Sequence, residues 1–149
     1  MNLGSTMSDI EIKSGKIELS TKPDGIYNIT DDVESFLDEI SADRGSVLIF
    51  CVGSTCGITT IEYEPGLRRD FPEMLGKIAP RGHYHHDATW GDGNGHSHLR
   101  SSLVGTSITI PVINGKLATG TWQQVVFCEF DIRPRNRKVI IQFTGNLRR

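Results

Sequence analysis

The chain has 149 residues, with 16 lysines and arginines against 18 aspartates and glutamates. Its length predicts a single domain that buries about two thirds of the surface its unfolded form would expose. Because the two signs of charge nearly balance, we expect neither nucleic acid nor an anionic membrane as a partner. No window approaches about 20 apolar residues, and no basic amino-terminal region precedes an apolar one. We therefore expect a soluble, cytoplasmic protein.

The amino-terminal residues are polar and show no periodicity, so we expect a disordered extension at 1–9 and the folded domain at 10–149. Beyond them, apolar residues alternate with polar ones on either side of Ser14-Gly15, as they do in half-buried strands. These alternating residues are Ile10, Ile12, Ile17 and Leu19.

Two segments carry apolar residues at helical spacing. The first begins at Asp31, which forms a capping pattern with Glu34, and should end near Arg44. Its apolar face consists of Val33, Phe36, Leu37 and Ile40. The second follows Pro65-Gly66, and Pro72 is acceptable there if it lies in the first turn. Its apolar face consists of Leu67, Phe71, Met74 or Leu75, and Ile78.

Residues 46–52 form a short apolar run between these helices, which predicts a strand buried on both faces. Residues 58–63 are rich in β-branched side chains and predict a further strand. A loop of small residues, Gly53-Ser54-Thr55-Cys56-Gly57, separates the two segments.

The last third of the chain predicts two antiparallel strand pairs. Asn114-Gly115 is the dipeptide best suited to a type I′ turn and should join the first pair. Residues 121–131 and 138–144 should form the second pair across a basic turn. Two helices between β-rich ends predict an α+β domain with two main helices and a mostly antiparallel sheet.

All five histidines fall within residues 82–105, among glycines and carboxylates. In an extended segment, residues two apart point to the same side, so His96 and His98 could hold one metal ion. With His86 they would supply the three imidazoles of a catalytic zinc site, which lowers the pKa of bound water to about 7. The alternative is a glycine-rich loop whose histidines bind a neighbouring chain or solvent. His83 and His85 are then surface residues.

Two carboxylates are candidates for catalysis beside these histidines, Asp87 and Glu62. Each could orient a histidine, bind magnesium beside a phosphate, or act as a general base. The alternative is structural, since a glutamate at a strand end is usually solvated.

The candidate substrate contacts come from several parts of the chain. Ser54 and Thr55 lie in a loop whose hydroxyl and N–H groups could bind a phosphate, although it lacks a P-loop lysine. Arg135 offers a guanidinium that suits phosphate, or else belongs to a solvated turn or subunit contact. Gln123 begins a strand, and Asn94 lies inside the histidine segment.

The three cysteines are odd in number and contain no Cys-x-x-Cys pair, so we expect reduced thiols. Cys56 could act as a nucleophile or soft metal ligand, although a loop thiol without an activating partner is more often inert.

Several motifs together resemble the YjbQ-like family. They are the histidine segment, Ser102-Leu103-Val104-Gly105, Ile110-Pro111, Asn114-Gly115, Gly120-Thr121-Trp122-Gln123 and Pro134-Arg135-Asn136-Arg137. The resemblance implies a compact α+β homotrimer with its site near subunit boundaries, and a secondary thiamine-phosphate synthase activity. It matches family histidines to His86 and His98. Where many members have Pro-His-Thr-Thr, this chain reads Gly53-Ser54-Thr55-Cys56 and so lacks one histidine.

These observations predict metal-assisted chemistry on a phosphorylated or polar small molecule, with zinc favoured and magnesium possible as the divalent cofactor. Thiamine-phosphate synthesis expels pyrophosphate, which needs cationic stabilisation, and the sequence has no dedicated pyrophosphate motif. That activity is therefore expected to be secondary. The alternatives are a non-enzymatic trimeric module that binds a metal or anion, and a histidine segment that only locks the trimer.

Overall fold

The computed structural model describes residues 9–149, so the expected extension at 1–9 lies outside the described residues except for Asp9. The strands are β1 (Glu11–Thr21), β2 (Ile26–Asn28), β3 (Ala42–Cys51), β4 (Cys56–Glu62), β5 (Ser107–Ile113), β6 (Lys116–Leu117), β7 (Gln123–Glu129) and β8 (Arg135–Leu147). The helices are α1 (Thr30–Glu39), α2 (Pro65–Ile78), α3 (His85–Trp90) and α4 (Gly95–Val104).

The strands form two sheets in which every recorded pairing is antiparallel. One sheet has the order β1-β8-β3-β5-β6, and the other has the order β2-β7-β4. Val33 and Leu37 of α1 are fully buried in the main core together with Val47, Phe127 and Phe143 from both sheets. The prediction of an α+β domain with a mostly antiparallel sheet is confirmed. Among residues 9–149, no helix is long and apolar enough to cross a bilayer.

The histidine segment is helical, which the sequence did not predict. Instead of a loop it forms α3 and α4, which add to the two predicted helices α1 and α2, so the described residues form four helices. Two glycines with positive φ, Gly91 at 70° and Gly93 at 68°, lie between these helices. Because glycine has no Cβ, it adopts this backbone conformation without strain and allows the sharp reversal.

The helix boundaries differ from the predicted ones. Helix α1 ends at Glu39 rather than near Arg44, because Ser41 has a φ of 56° and β3 begins immediately afterwards. The predicted cap is absent: no side chain caps this helix, and Glu34 accepts a hydrogen bond from Leu117 N–H instead.

Helix α2 begins earlier than predicted. Glu64 is its N-cap and accepts hydrogen bonds from the N–H groups of Gly66 and Leu67. Pro65 occupies the first turn, so Pro72 lies inside the helix.

Strand pairing is partly as predicted. Asn114 and Gly115 have φ values of 51° and 76° and join β5 to β6, as a type I′ hairpin requires. The predicted pairing of residues 121–131 with 138–144 is wrong, because β7 pairs with β2 and β4 whereas β8 pairs with β1 and β3. The connection at residues 130–134 therefore carries the chain from one sheet to the other. Ser14-Gly15 does not divide β1, which pairs continuously with β8.

Strand β3 is buried on only one face in the single chain. Val47 and Ile49 are fully buried, whereas Leu48 and Phe50 are each 38% exposed. The prediction of burial on both faces is therefore wrong for the isolated chain, and an apolar surface remains open on this sheet.

Gly45 and Gly145 are direct partners in the pairing of β3 with β8. A Cβ at Gly45 would lie 2.2 Å from the Thr144 carbonyl oxygen. We therefore expect Gly45→Ala to lower the free energy of unfolding by about 1–3 kcal/mol, measured by urea denaturation.

Gly76→Ala in α2 is the matched control. No heavy atom lies within 4 Å of a Cβ at this position, so helix propensity should raise the free energy of unfolding by about 0.5–1 kcal/mol. Equal effects of the two substitutions would contradict the close strand approach.

Candidate functional site

A cluster of possible metal ligands lies on α3 and the turn that follows it. One ligand atom from each of His86, Asp87 and Asp92 falls within 4.8 Å of the others. The Nδ1 atom of His86 is 3.4 Å from Asp87 Oδ1 and 3.5 Å from Asp92 Oδ1. The three residues are half-buried, and the Asp92 Oδ1 atom itself is buried. Sequence analysis found His86 and Asp87 but did not assign Asp92 a role.

Asp87 also joins the two short helices. Its carboxylate accepts hydrogen bonds from Gly95 N–H at 2.9 Å and from Tyr84 N–H at 3.3 Å. Burial alone would raise the pKa of Asp87, but these N–H groups and His86 outweigh it, and the net effect lowers the pKa. A carboxylate held ionised in this way is suited to binding a cation rather than accepting a proton.

His98 connects this cluster to an open pocket. Its ring centroid lies 4.5 Å from that of His86. The same side chain lines a pocket of about 310 Å³. The other lining residues are Gly53, Ser54, Ser101, Ser102, Gly105 and Thr106. Of the predicted substrate contacts, Ser54 is thus placed beside the histidines.

His96 does not join His86 and His98 as predicted. The prediction assumed an extended segment, but both His96 and His98 lie in α4. Residues two apart on an α-helix point about 200° apart around its axis, so His96 turns inward and is only 1% exposed. Burial, followed by the nearby charges of Arg100 and Arg81, lowers its pKa. His83 and His85 are exposed, as expected of surface residues.

Three buried polar atoms in this segment have no hydrogen-bond partner among residues 9–149. They are Asp92 Oδ1, Asn94 Oδ1 and His96 Nδ1. Buried polar groups are nearly always satisfied by protein, water or a bound ion. Asp92 Oδ1, which lies 3.5 Å from His86 Nδ1 without a hydrogen bond, belongs to the ligand cluster, so the ligand atoms present fit a cation there.

Three predicted substrate contacts converge on a carboxylate that sequence analysis missed. The side chain of Asp131 is fully buried and accepts hydrogen bonds from Thr55 Oγ1 at 3.2 Å, Asn94 Nδ2 at 3.3 Å and Arg135 Nε at 2.8 Å. Thr55, Asn94 and Arg135 therefore share one structural partner. Any contact that they make with a substrate stays a prediction.

A second buried carboxylate, Glu129, lies beside this one. It accepts hydrogen bonds from Arg137 Nε at 2.7 Å and Thr21 Oγ1 at 2.6 Å, and it also binds the Asp131 backbone N–H at 3.0 Å. The Glu129 hydrogen bond is the main cause of the raised pKa of Arg137. Charged residues occupy every second position from 129 to 137, and this pattern was the available signal. The pattern did not show that both carboxylates are buried.

Comparisons with known proteins agree with this architecture. The model of the family described as UPF0047 protein YjbQ-like matches residues 15–146. This chain belongs to that family. A UPF0047 protein of Archaeoglobus fulgidus is 42% identical over 118 residues, covering 78% of this chain and 89% of the relative. The UPF0047 protein YugU of Bacillus subtilis is 39% identical over 128 residues, covering 85% and 94%.

Solved structures give the same family. A crystal structure of a YbjQ-like protein of unknown function from Sulfolobus solfataricus superposes with a TM-score of 0.88 at 28% identity, covering 93% of this chain and 100% of that one. A YjbQ/UPF0047 family protein from Clostridium acetobutylicum superposes with a TM-score of 0.76 at 40% identity, covering 85% and 98%.

Two predicted residues of this UPF0047 chain lie in a different setting. Glu62 and Gln123 face each other across the β4–β7 pairing, and both are exposed. Gln123 donates a hydrogen bond to Thr60 Oγ1 at 2.9 Å. Neither residue lines the His98 pocket or belongs to the ligand cluster. The catalytic role of Glu62 and the substrate-binding role of Gln123 stay predictions.

We expect Asp131→Asn to destabilise this UPF0047 protein by about 3 kcal/mol at pH 7, because it removes a buried charge that pairs with the part-exposed Arg135 and the nearly buried Arg137. Burial would raise the pKa of Asp131, but Arg135 and the other donors lower it to about 2. The ionised carboxylate therefore stabilises the fold at pH values above the ordinary pKa of an aspartate. That contribution of about 2 kcal/mol should disappear as the pH falls from about 4 to about 2.

Denaturant unfolding between neutral and acid pH measures both effects. Asp70→Asn serves as a control, since Asp70 is exposed on α2. An acid dependence of stability that is the same in Asp131→Asn as in the wild type would contradict the assignment.

Proposed function

We propose that this protein binds a divalent cation at His86, Asp87 and Asp92, and that it acts on a small polar or phosphorylated molecule held in the adjoining pocket. The observation that supports this most is the position of His98, which contacts the His86 ring and also lines the pocket. A ligand in that pocket would contact His98, whose ring centroid lies 4.5 Å from that of the proposed ligand His86. Such a juxtaposition of cation site and substrate pocket is what metal-assisted chemistry requires.

The donor set suits zinc and leaves magnesium possible. Zinc binds imidazole nitrogen and carboxylate oxygen, and catalytic zinc sites use three protein ligands with one position open. Magnesium prefers oxygen ligands, so the His86 imidazole favours zinc over it. The proposal keeps His86 from the predicted three-histidine set, gives Asp87 and Asp92 the other two positions, and places His98 at the pocket wall.

When bound, the ion would polarise an oxygen of the substrate or supply a water of lowered pKa. The residues of the chain would do the rest. Asp87 is held ionised by backbone N–H groups and fixes the ligand geometry. The imidazole of His98 can give or take a proton at the pocket wall. The hydroxyls of Ser54, Ser102 and Thr106 can bind polar groups of the substrate.

The family resemblance also brings a secondary thiamine-phosphate synthase activity into the proposal. That reaction expels pyrophosphate, whose departure is usually assisted by magnesium and by arginine or lysine. No arginine or lysine is among the residues that line the His98 pocket. Arg135 already binds Asp131 through two of its N–H groups. The described pocket therefore fits a slow side reaction better than a dedicated synthase.

Metal binding can be tested by isothermal titration with zinc, magnesium and manganese on metal-free protein. We expect the zinc affinity to fall at least about 100-fold in His86→Ala and in Asp92→Asn, because each substitution removes a proposed ligand. Removing a residue that only hydrogen-bonds a ligand already lowers metal affinity about 10- to 100-fold. His83→Ala is the matched control, since His83 is exposed on the same segment.

Unchanged zinc affinity in both ligand variants would exclude this site. Assays of His98→Ala on phosphorylated thiamine precursors and on phosphate esters distinguish an enzyme from a non-enzymatic module. A variant that keeps its ion and loses turnover supports the enzyme. Wild-type protein that binds zinc but turns over none of these compounds would favour the module.

We further propose a homotrimer, as the family resemblance implies. The open face of the five-stranded sheet carries a continuous apolar patch of Leu48, Phe50, Val52 and Ile140, each between 38% and 46% exposed. Phe50 and Ile140 are direct cross-strand partners. Isolated exposed apolar residues are normal, but a contiguous patch is typical of an interface between chains.

We expect Phe50→Glu to shift the protein from trimer to monomer in light scattering, because a charge would be buried in the interface. Ile78→Glu is the control, because Ile78 is exposed on α2, outside the patch. A monomeric wild type, or a trimer that tolerates Phe50→Glu, would contradict the proposed interface.

A further inference from the structure

Two of the three cysteines lie at the two ends of the loop between β3 and β4 and belong to one buried cluster. Cys51 ends β3 and Cys56 begins β4, and both are fully buried. Both side chains belong to the same buried core cluster, and each is the largest influence on the pKa of the other. Both are free thiols in the structure, as the sequence predicted. A disulfide between these two thiols would close a loop of only four intervening residues.

A buried cation lies against one member of the pair. A Cβ built on Gly53 would come within 2.8 Å of Arg137 Nη1 and 2.9 Å of the Cys56 sulfur, so both groups lie directly behind this glycine. The Cys51 thiol and the charge of Arg137 lower the pKa of Cys56 against the effect of burial. Cys56, with burial, raises the pKa of Cys51. The pair is therefore asymmetric, with Cys56 the more nucleophilic member.

The cover over this pair is thin. Gly53 is exposed and carries no side chain, and the Cys56 sulfur lies close behind it. A small oxidant such as hydrogen peroxide would have to pass only the backbone of this loop. The same loop lines the His98 pocket through Gly53 and Ser54.

We propose that Cys51 and Cys56 are a site of oxidative modification, at which peroxide converts the two thiols into an intramolecular disulfide. The Cys56 thiolate attacks one peroxide oxygen, the O–O bond breaks, and the products are a sulfenic acid at Cys56 and hydroxide. The Cys51 sulfur then attacks the Cys56 sulfur, the S–O bond breaks, and the thiol proton leaves with the hydroxyl group as water. In total, two thiols lose two electrons to one peroxide, and two waters form.

The third cysteine is an internal control. Cys128 is fully buried like the others, but it lies in the separate cluster with Leu75, Val126 and Phe130. Burial raises its pKa to about 12. The proposal predicts that burial alone does not determine reactivity, and that Cys128 stays reduced under conditions that oxidise the pair.

The test is to expose reduced full-length protein to hydrogen peroxide, quench with catalase, unfold it, alkylate the remaining thiols and map the peptides by mass spectrometry. We expect Cys51 and Cys56 to be lost together, at least about tenfold faster than Cys128. The mass should fall by two hydrogens, and the two residues should appear in one linked species. Cys51→Ser should stop the reaction at a sulfenic acid on Cys56, which dimedone would trap.

Three results would overturn the proposal: loss of all three thiols at similar rates, persistence of Cys51 and Cys56 when Cys128 is oxidised, or a disulfide between chains on a non-reducing gel. The wild-type measurement does not depend on the folding of any variant. Cys128→Ser, which keeps the pair, should show the same rate of disulfide formation as the wild type. The reaction involves none of the proposed metal ligands, so its outcome is independent of the ion site.

Discussion

Two buried carboxylates at the end of β7 connect the two sheets and the nearby loops through polar contacts, in addition to the hydrophobic core that the sheets share. Glu129 binds Thr21 of β1 and Arg137 of β8, which belong to the other sheet. Asp131 binds the loop before β4 and the residue before α4. A buried charge is costly unless it is paired and fully hydrogen-bonded. Each carboxylate therefore requires its partners to stay where they are, and the junction between the sheets is fixed.

This junction also determines where the histidine segment lies. Asn94 precedes α4 and donates to Asp131, while Gly95 donates to Asp87. The start of α4 is thus tied to the sheet on one side and to α3 on the other. His86 and His98 are brought to 4.5 Å between ring centroids although they are twelve residues apart. The candidate ion site is a consequence of polar contacts around it rather than of histidine spacing.

Local chemistry explains what could be predicted from the sequence. The β5–β6 hairpin follows from Asn114-Gly115, since those two residues favour positive φ in any context. The location of the site follows from the concentration of histidines. The geometry of the site did not follow, because His96-Ser97-His98 fits a strand or a helix equally well, and only the helix separates the two imidazoles. The role of Asp131 was invisible because burial of a carboxylate depends on partners from distant parts of the chain.

The placement of β7 and β8 in two different sheets was not predicted, for the same reason. Consecutive strands joined by a short turn usually pair with each other, and nothing local marks residues 130–134 as a crossing between sheets. The basic residues around this connection were expected to form a solvated turn or a subunit contact, yet Arg137 of β8 is almost fully buried against Glu129. Tertiary ion pairing therefore overrides the local preference for a hairpin at this point.

X-ray absorption spectroscopy of the zinc-loaded protein tests the central claim most directly, since it reports the atoms bound to the ion. Coordination by His86, Asp87 and Asp92 predicts a mixed shell of nitrogen and oxygen at about 2.0–2.2 Å, with an imidazole contribution that disappears in His86→Ala. A shell of imidazoles alone, or sulfur at about 2.3 Å, would contradict it.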